Sequence, residues 1–331
     1  MRRLLFACSF TLVVAIAALA LFCYQLLMVP VMPEKPVSIA IPPGTSLHKI
    51  ARQLEDSGVI RNALALRLLA RWEQRSGQVQ AGTYRFQSAA RPAEILERLI
   101  KGDVEKVSLT IPEGFTLEQI IARIAEAGYG RAEVLTQLAH DQDFIHSLQI
   151  GANSLEGYLF PETYLFAPGV DERTLLQMMT SQFRAHLDDQ LLQQAKAQGL
   201  NLHQLVTLAS IIEKETAAIE EMPLISSVFH NRLKRGIPLQ TDPTVIYGIK
   251  DFDGNITRKD LTTPTPYNTY LIRGLPPGPI CSPGLDALRA AAAPATTRYL
   301  YFVARGDGSH QFSTTLREHN AAVRRYQLHR P

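Results

Sequence analysis

Residues 202–218 read LHQLVTLASIIEKETAA, an apolar helical stretch carrying a carboxylate where its own pattern calls for a hydrophobe. At about 100° per residue, Leu205, Leu208, Ile211, Ile212 and Ile219 fall on one stripe, and Glu215 lies inside it. Glu213 is expected to point the other way, beside Lys214. A carboxylate set among Leu and Ile loses hydration, so its pKa rises and part of it stays protonated near neutral pH. That is the state a general acid needs. The same geometry equally fits a charged turn, Glu213 to Glu215, at the solvated end of the helix, and the helical wheel does not separate the two readings.

Working outward, Asn201 is placed to cap this helix, and a long helical stretch from Asp171 stops at Gly199. Pro223 opens a following helix whose inner face carries Ile225, Val228, Phe229 and Leu233, ending at Gly236. From Ile237 to Pro283 the chain turns loop-rich, with LQTDPTVIYG, TTPTPYNTY and GLPPGPICSPG in succession. Loops of this length are costly to order and commonly build a site. Gln240, Thr241, Asp242, Tyr247, Tyr267, Asn268, Thr269 and Tyr270 offer donors, acceptors and flat rings, a mixture suited to a neutral polyhydroxylated polymer rather than a phosphate or a metal. Upstream, SLEGYLFPETY (154–164) holds Glu156 and Glu162, rivals to Glu215 for acid/base work, among aromatics that suit either sugar faces or core contacts. A short helix over 285–293 and a strand pair over 299–303 and 310–313 close the chain.

Charge excludes one class of partner: 34 basic residues against 31 acidic ones leave a net charge of only +3, with no concentrated stripe for nucleic acid. No charged residue occurs from Leu4 to Pro33, while Arg2 and Arg3 precede that run. The expectation is a cytoplasmic tail (1–3), a membrane helix (4–29) and a Pro-rich linker (30–36), with the rest exported. The competing reading is a cleaved signal peptide, for which Ala18 and Ala20 mimic a small-residue cleavage site. Cys8 and Cys23 lie in the apolar run, leaving Cys281 alone beyond it, so neither an intramolecular disulfide nor a cysteine metal site is expected there.

An internal repeat follows the linker: IPPGTSLHKI (41–50) returns as IPEGFTLEQI (111–120). Each copy reads as a strand, a Pro/Gly turn, a Ser or Thr cap and an amphipathic helix ending near Gly58 or Gly128. With a strand at 81–86 and a helix at 91–101 between them, the order implies a small α+β unit. The copies resemble the LysM-like modules that hold glycan chains; a purely structural spacer fits the residues as well. The expected fold class is α+β: an N-terminal membrane helix, a LysM-like region (37–140) and a mixed helical catalytic domain (141–331) with long site-forming loops and short strands.

LEGYLFPETY (155–164), LASIIEKET (208–216), LQTDPTVIYG (239–248), TPYNTY (265–270) and GLPPGPI (274–280) together resemble the YceG-like endolytic murein transglycosylases, the MltG family. The resemblance runs over nearly the whole chain. It implies Glu215 as the catalytic residue, the one the helical wheel selects. It further implies cleavage of the MurNAc-GlcNAc β-1,4 bond of peptidoglycan with a 1,6-anhydro-MurNAc end, an inner-membrane anchor with a periplasmic catalytic domain, and a role in ending glycan-strand elongation, with peptidoglycan synthases as possible partners. No cofactor or metal is implied. Glu215-Thr216 looks like the Glu-Ser pair of other lytic transglycosylases and Tyr267-Asn268 like their Tyr-Asn element; Thr replaces Ser here. Gln240, Tyr267, Asn268, Tyr270, Glu156 and Thr216 are the candidate substrate-binding residues. Outside this class stand a muramidase, which needs a second carboxylate from Glu156, Glu162 or Asp242, and a non-enzymatic glycan-binding scaffold.

Overall fold

The computed structural model describes residues 2–250 and 252–328, with the side chains of residues 2–12 and 19 outside the description. Its elements run α1 (Arg2–Leu27), β1 (Val37–Ile41), α2 (Leu47–Asp56), α3 (Ala63–Trp72), β2 (Gly82–Phe86), α4 (Pro92–Lys101), β3 (Val107–Thr110), α5 (Leu117–Glu126), α6 (Ala132–His140) and α7 (Gln142–Ser147). They continue with β4 (Thr163–Phe166), α8 (Glu172–Ala185), α9 (Asp189–Ala197), α10 (Leu202–Glu215), α11 (Met222–Lys234), α12 (Asp242–Tyr247), α13 (Arg258–Thr262), α14 (Leu285–Ala292), β5 (Tyr301–Ala304), β6 (His310–Ser313) and α15 (Leu316–Val323). The fold is α+β. Its strands form two-stranded pairs, β1 with β2, β3 with β4 and β5 with β6.

The chain divides into two compact units, residues 1–108 with 165–169, and residues 109–164 with 170–331. In the first, β1 and β2 pair antiparallel, Val37 opposite Phe86 and Ile41 opposite Gly82. Their inward residues Ile39, Ile41, Tyr84 and Phe86 close a core with Ile50, Leu54, Leu66, Ile95 and Leu99. Of the expected membrane helix over 4–29, the side chains of residues 4–12 and 19 lie outside the description; among the described residues no helix is long and apolar enough to cross a membrane.

The repeat is present in three dimensions. Ser46 accepts the N–H of Lys49 at the start of α2, and Thr116 accepts that of Gln119 at the start of α5. Gly44 and Gly114 turn with φ of +77° and +74°, and Ile50 and Ile120 are both buried. The two copies nevertheless fall in different units, one on each side of the division at 108/109. The second copy is tied to the C-terminal unit by its backbone: Gly114 N–H donates to Ser282 O, Ser282 N–H to Phe115 O, and Leu117 N–H to the Glu156 carboxylate.

In the second unit α10 is the central element. Asn201 and Gln204 form a reciprocal capping box at its start, and every residue from Leu205 to Ile212 is buried. The helix is therefore enclosed on all faces rather than along one stripe: α14 packs against it most extensively, with α9, α11 and α12 around it. Thr207, Ala209 and Ser210 make the close approach possible, and the two hydroxyls return to the helix by donating to His203 O and Thr207 O. The loops of the second unit converge on this rod. Tyr158 OH lies 2.8 Å from His203 Nδ1, His203 Nε2 lies 2.7 Å from Pro277 O, and Ile280 N–H donates to Ser210 Oγ. Gly157 has to be glycine: its φ is +82°, and a Cβ there would stand 2.5 Å from Pro279 and 3.0 Å from Val206.

Several expectations are corrected. The stretch from Asp171 to Gly199 breaks into α8 and α9 because Asp188 caps a new helix. LQTDPTVIYG is partly helical, as α12, and α15 follows the terminal strand pair. Ile219 is not on the α10 stripe: the helix ends at Glu215 with Thr216 extended, and Ile219 is 56% exposed in a short 3-10 turn. Asn201→Ala is expected to destabilise the second unit by about 1 kcal/mol through loss of the cap. Urea denaturation would show a lowered midpoint with an unchanged slope; an unaltered midpoint would mean that the cap is dispensable.

Candidate active site

Glu215 is the last residue of α10 and faces a cavity of about 580 Å³. The walls come from the loop before α12, from β5 and β6, and from α15. Burial pushes the Glu215 carboxyl up to about 7, reinforced by the nearby charge of Asp242 and opposed by the hydrogen bond from Thr241 and the proximity of His310. Thr241 Oγ1 donates to Glu215 Oε1.

That donor is held by a small cluster of buried threonines. Thr241 N–H donates to Thr269 Oγ1 at 3.1 Å, Thr244 Oγ1 donates to Thr241 O, and the Thr244 and Thr269 hydroxyls lie 2.8 Å apart. Gln240, just before, has φ of +52°, a left-handed conformation that costs a non-glycine residue about 1 kcal/mol. Its N–H donates to Thr269 O and its Oε1 accepts from Arg232. The strained residue thus sits at the bend that aims Thr241 at the acid.

Of the residues anticipated from sequence, Glu215, Gln240 and Tyr270 come together on this cavity. Tyr270 OH donates to Asp242 Oδ1 at 2.6 Å. Glu156 and Tyr267 line a different cavity of about 200 Å³, beside His203 and Pro277. Glu156 is buried and receives Leu117 N–H and Tyr247 OH; burial raises its carboxyl to about 7 against those hydrogen bonds. It serves as an anchor for the start of α5. Asn268 is fully enclosed, its amide donating to Asp260 O, Leu261 O and Thr263 O and its oxygen accepting Tyr270 N–H. Thr216 is buried and accepts Ala218 N–H, which shapes the turn leaving α10. Glu162 is exposed.

Glu213 is not the fully solvated carboxylate that the charged-turn reading required. It is half-buried, accepts Gly284 N–H at the start of α14, and is raised above the ordinary carboxylate range by that burial. Among the cavity residues that sequence reasoning missed are Arg232, Tyr301 and His310. Arg232 is buried, donates to Leu300 O, Pro238 O and Leu239 O, and so staples the loop before Thr241 to β5's approach. Tyr301 lies under its guanidinium. His310 lies on the cavity wall with Nδ1 2.6 Å from Glu221 Oε2, while its backbone N–H donates to Glu221 Oε1. These three are far from Glu215 in sequence, and no local pattern marks them.

The family model described as YceG-like matches residues 39–325. A Bacillus subtilis (strain 168) protein named endolytic murein transglycosylase is 36% identical over 307 residues, covering 88% of this chain and 84% of that protein. A protein of the same name from Streptococcus pneumoniae serotype 2 is 32% identical over 339 residues; the match covers 90% of this chain and 61% of that longer protein. Among solved structures, the crystal structure of a yceG-like protein from Listeria monocytogenes matches with a TM-score of 0.60 at 32% identity, over 87% of this chain and 99% of that one.

The raised carboxyl of Glu215 has a thermodynamic signature. Its folded-state pKa of about 7 exceeds the ordinary 4.5, so the penalty for ionising it is absent at acid pH and destabilises the fold progressively as the pH rises between these values. Glu215→Gln is expected to raise Tm at about pH 8, by an amount worth at most about 3 kcal/mol, and to leave it unchanged at about pH 4. Equal shifts at both pH values would mean that the carboxylate is not desolvated.

Proposed function

The chain belongs to the YceG-like family, and from that premise we infer that it is an endolytic murein transglycosylase, a lyase acting on peptidoglycan. The observation that carries the reading is one carboxyl, Glu215, poised near neutrality on the wall of a cavity lined by polar and aromatic side chains.

Protonated Glu215 gives its proton to the glycosidic oxygen as the MurNAc-GlcNAc bond breaks, leaving oxocarbenium character at the MurNAc carbon. The ionised carboxylate then takes the proton of the MurNAc 6-hydroxyl as that oxygen bonds to the same carbon. The product is a 1,6-anhydro-MurNAc end, no water is consumed, and the acid is regenerated. One group suffices, whereas hydrolysis of the same bond ordinarily employs two carboxylates. Thr241 keeps the Glu215 side chain in place through both proton transfers. Gln240 and Tyr270 are the groups best placed for the acetamido and lactyl substituents. Asp242 shares the cavity, and it is the carboxylate a muramidase would have to recruit.

The reading extends to the rest of the chain. The uncharged run from Leu4 to Pro33 behind Arg2 and Arg3 supports a single-pass inner-membrane anchor with a cytoplasmic N-terminus and a periplasmic catalytic unit. The strand–turn–helix copy in the first unit supports a LysM-like glycan contact. A membrane-tethered endolytic cutter is suited to ending the elongation of new strands beside the synthases that make them.

Three outcomes are expected with the full chain in detergent and purified glycan strands. Glu215→Gln, folded like the native protein, releases no anhydro ends, whereas Glu213→Gln retains most activity because Gln still accepts Gly284 N–H. Mass spectrometry of the native products separates the reactions, since reducing ends one water heavier would establish the hydrolase instead. The rate falls as the pH rises through about 7; Thr241→Val, which removes a bond favouring the ionised form, moves that fall to higher pH. A profile unmoved by this substitution would remove Thr241 from the mechanism.

A further inference from the structure

α3 is apolar on two faces, and only one of them is covered. Ala63, Leu66 and Ala70 enter the core of the first unit. Leu64, Leu68 and Trp72, spaced four residues apart along another face, are 56%, 56% and 88% exposed. A solvated helix in a unit with a complete core has no use for such a stripe. Its only charged residues are Arg67 and Arg71, and it contains no acid.

The position of this stripe points to an occupant. Arg61, just before α3, donates through Nη1 to Gln25 O at 2.7 Å and Val29 O at 3.4 Å, at the C-terminal end of α1. An apolar cavity of about 370 Å³ lies between the two helices, bounded by Phe22, Leu26 and Leu27 on one side and by Leu64, Leu68 and Trp72 on the other. If α1 crosses a bilayer over the roughly 20 residues a span requires, Phe22 to Leu27 sit at its outer boundary, and α3 beside them shares that depth. Trp at such a level, with arginines flanking an apolar face, is the chemistry of a helix lying in the membrane interface.

We propose that α3 is a second membrane contact: Leu64, Leu68 and Trp72 enter the outer acyl boundary while Arg67 and Arg71 meet anionic headgroups. The proposal rests on the reading of α1 as an anchor. Its consequence is that the first unit is pinned flat against the bilayer instead of swinging on the linker, which limits how far from the membrane the chain can engage a glycan strand.

Trp72 is the sole tryptophan, so intrinsic fluorescence reports on α3 alone. The full chain is reconstituted into phosphatidylcholine–phosphatidylglycerol liposomes, with and without lipids brominated near the top of the acyl chain. Expected are co-flotation, a blue-shifted emission, at least about twofold quenching by brominated lipid, and weak quenching by aqueous iodide. Leu64→Ser/Leu68→Ser, which alters only exposed positions, is expected to float equally well while losing about half of the lipid quenching. Omitting the anionic lipid should also weaken it, and indifference to that change would overturn the role of the arginines. Flotation with Trp72 open to iodide and blind to bromine overturns the proposal and leaves the anchor standing. Shielding from iodide without lipid quenching assigns the stripe to a second copy of the chain, and overturns it too. Failure to float overturns the anchor and the proposal together.

Discussion

Everything in the second unit depends on keeping one carboxyl out of water at the end of a buried helix. α10 is enclosed along eight successive residues, so its C-terminal residue is delivered onto the wall of a cavity rather than onto the open surface. The negative end of the helix dipole adds to the difficulty of ionising a group there. The protein neither pairs Glu215 with a cation nor leaves it bare. A single neutral donor, Thr241, satisfies one oxygen while permitting the proton to stay. A buried ion pair would have locked the carboxylate in its ionised state and removed the acid.

The surrounding architecture supports that one hydrogen bond. Thr241 is held by Thr244 and Thr269, the loop before it is stapled by Arg232 to carbonyls on both sides, and Gln240 takes up the strain of the bend. Each contact is buried, so each donor left without an acceptor would cost about 1–3 kcal/mol. The site is therefore specified by polar satisfaction more than by shape. The same economy governs Glu156, whose carboxylate gathers the start of α5 and Tyr247 in a separate cavity and so draws the second repeat copy into the second unit.

The legible parts of the chain were those encoded locally. The caps at Ser46, Thr116 and Asn201, the turns at Gly44 and Gly114, the terminal strand pair and the placement of Glu215 all follow from residues within a few positions of one another. What was misread involved partners distant in the chain. Glu213 reads as solvated until Gly284 arrives to donate to it, and Asn268 reads as a substrate ligand until its amide is seen binding three carbonyls of its own loop. Ile219 fits the helical wheel only if the helix continues, and Thr216 ends it.

The amino-acid sequence by itself determined the α+β class, the repeat and the family, and singled out Glu215, because periodicity, capping and motif order are properties of neighbouring residues. Tertiary structure alone decided which groups share the acid's cavity, admitting Arg232, Tyr301 and His310 and turning Glu156 and Tyr267 toward another. The reason is physical: a pKa or a hydrogen bond depends on what is within a few ångströms, and around Glu215 most of that matter comes from segments tens of residues away.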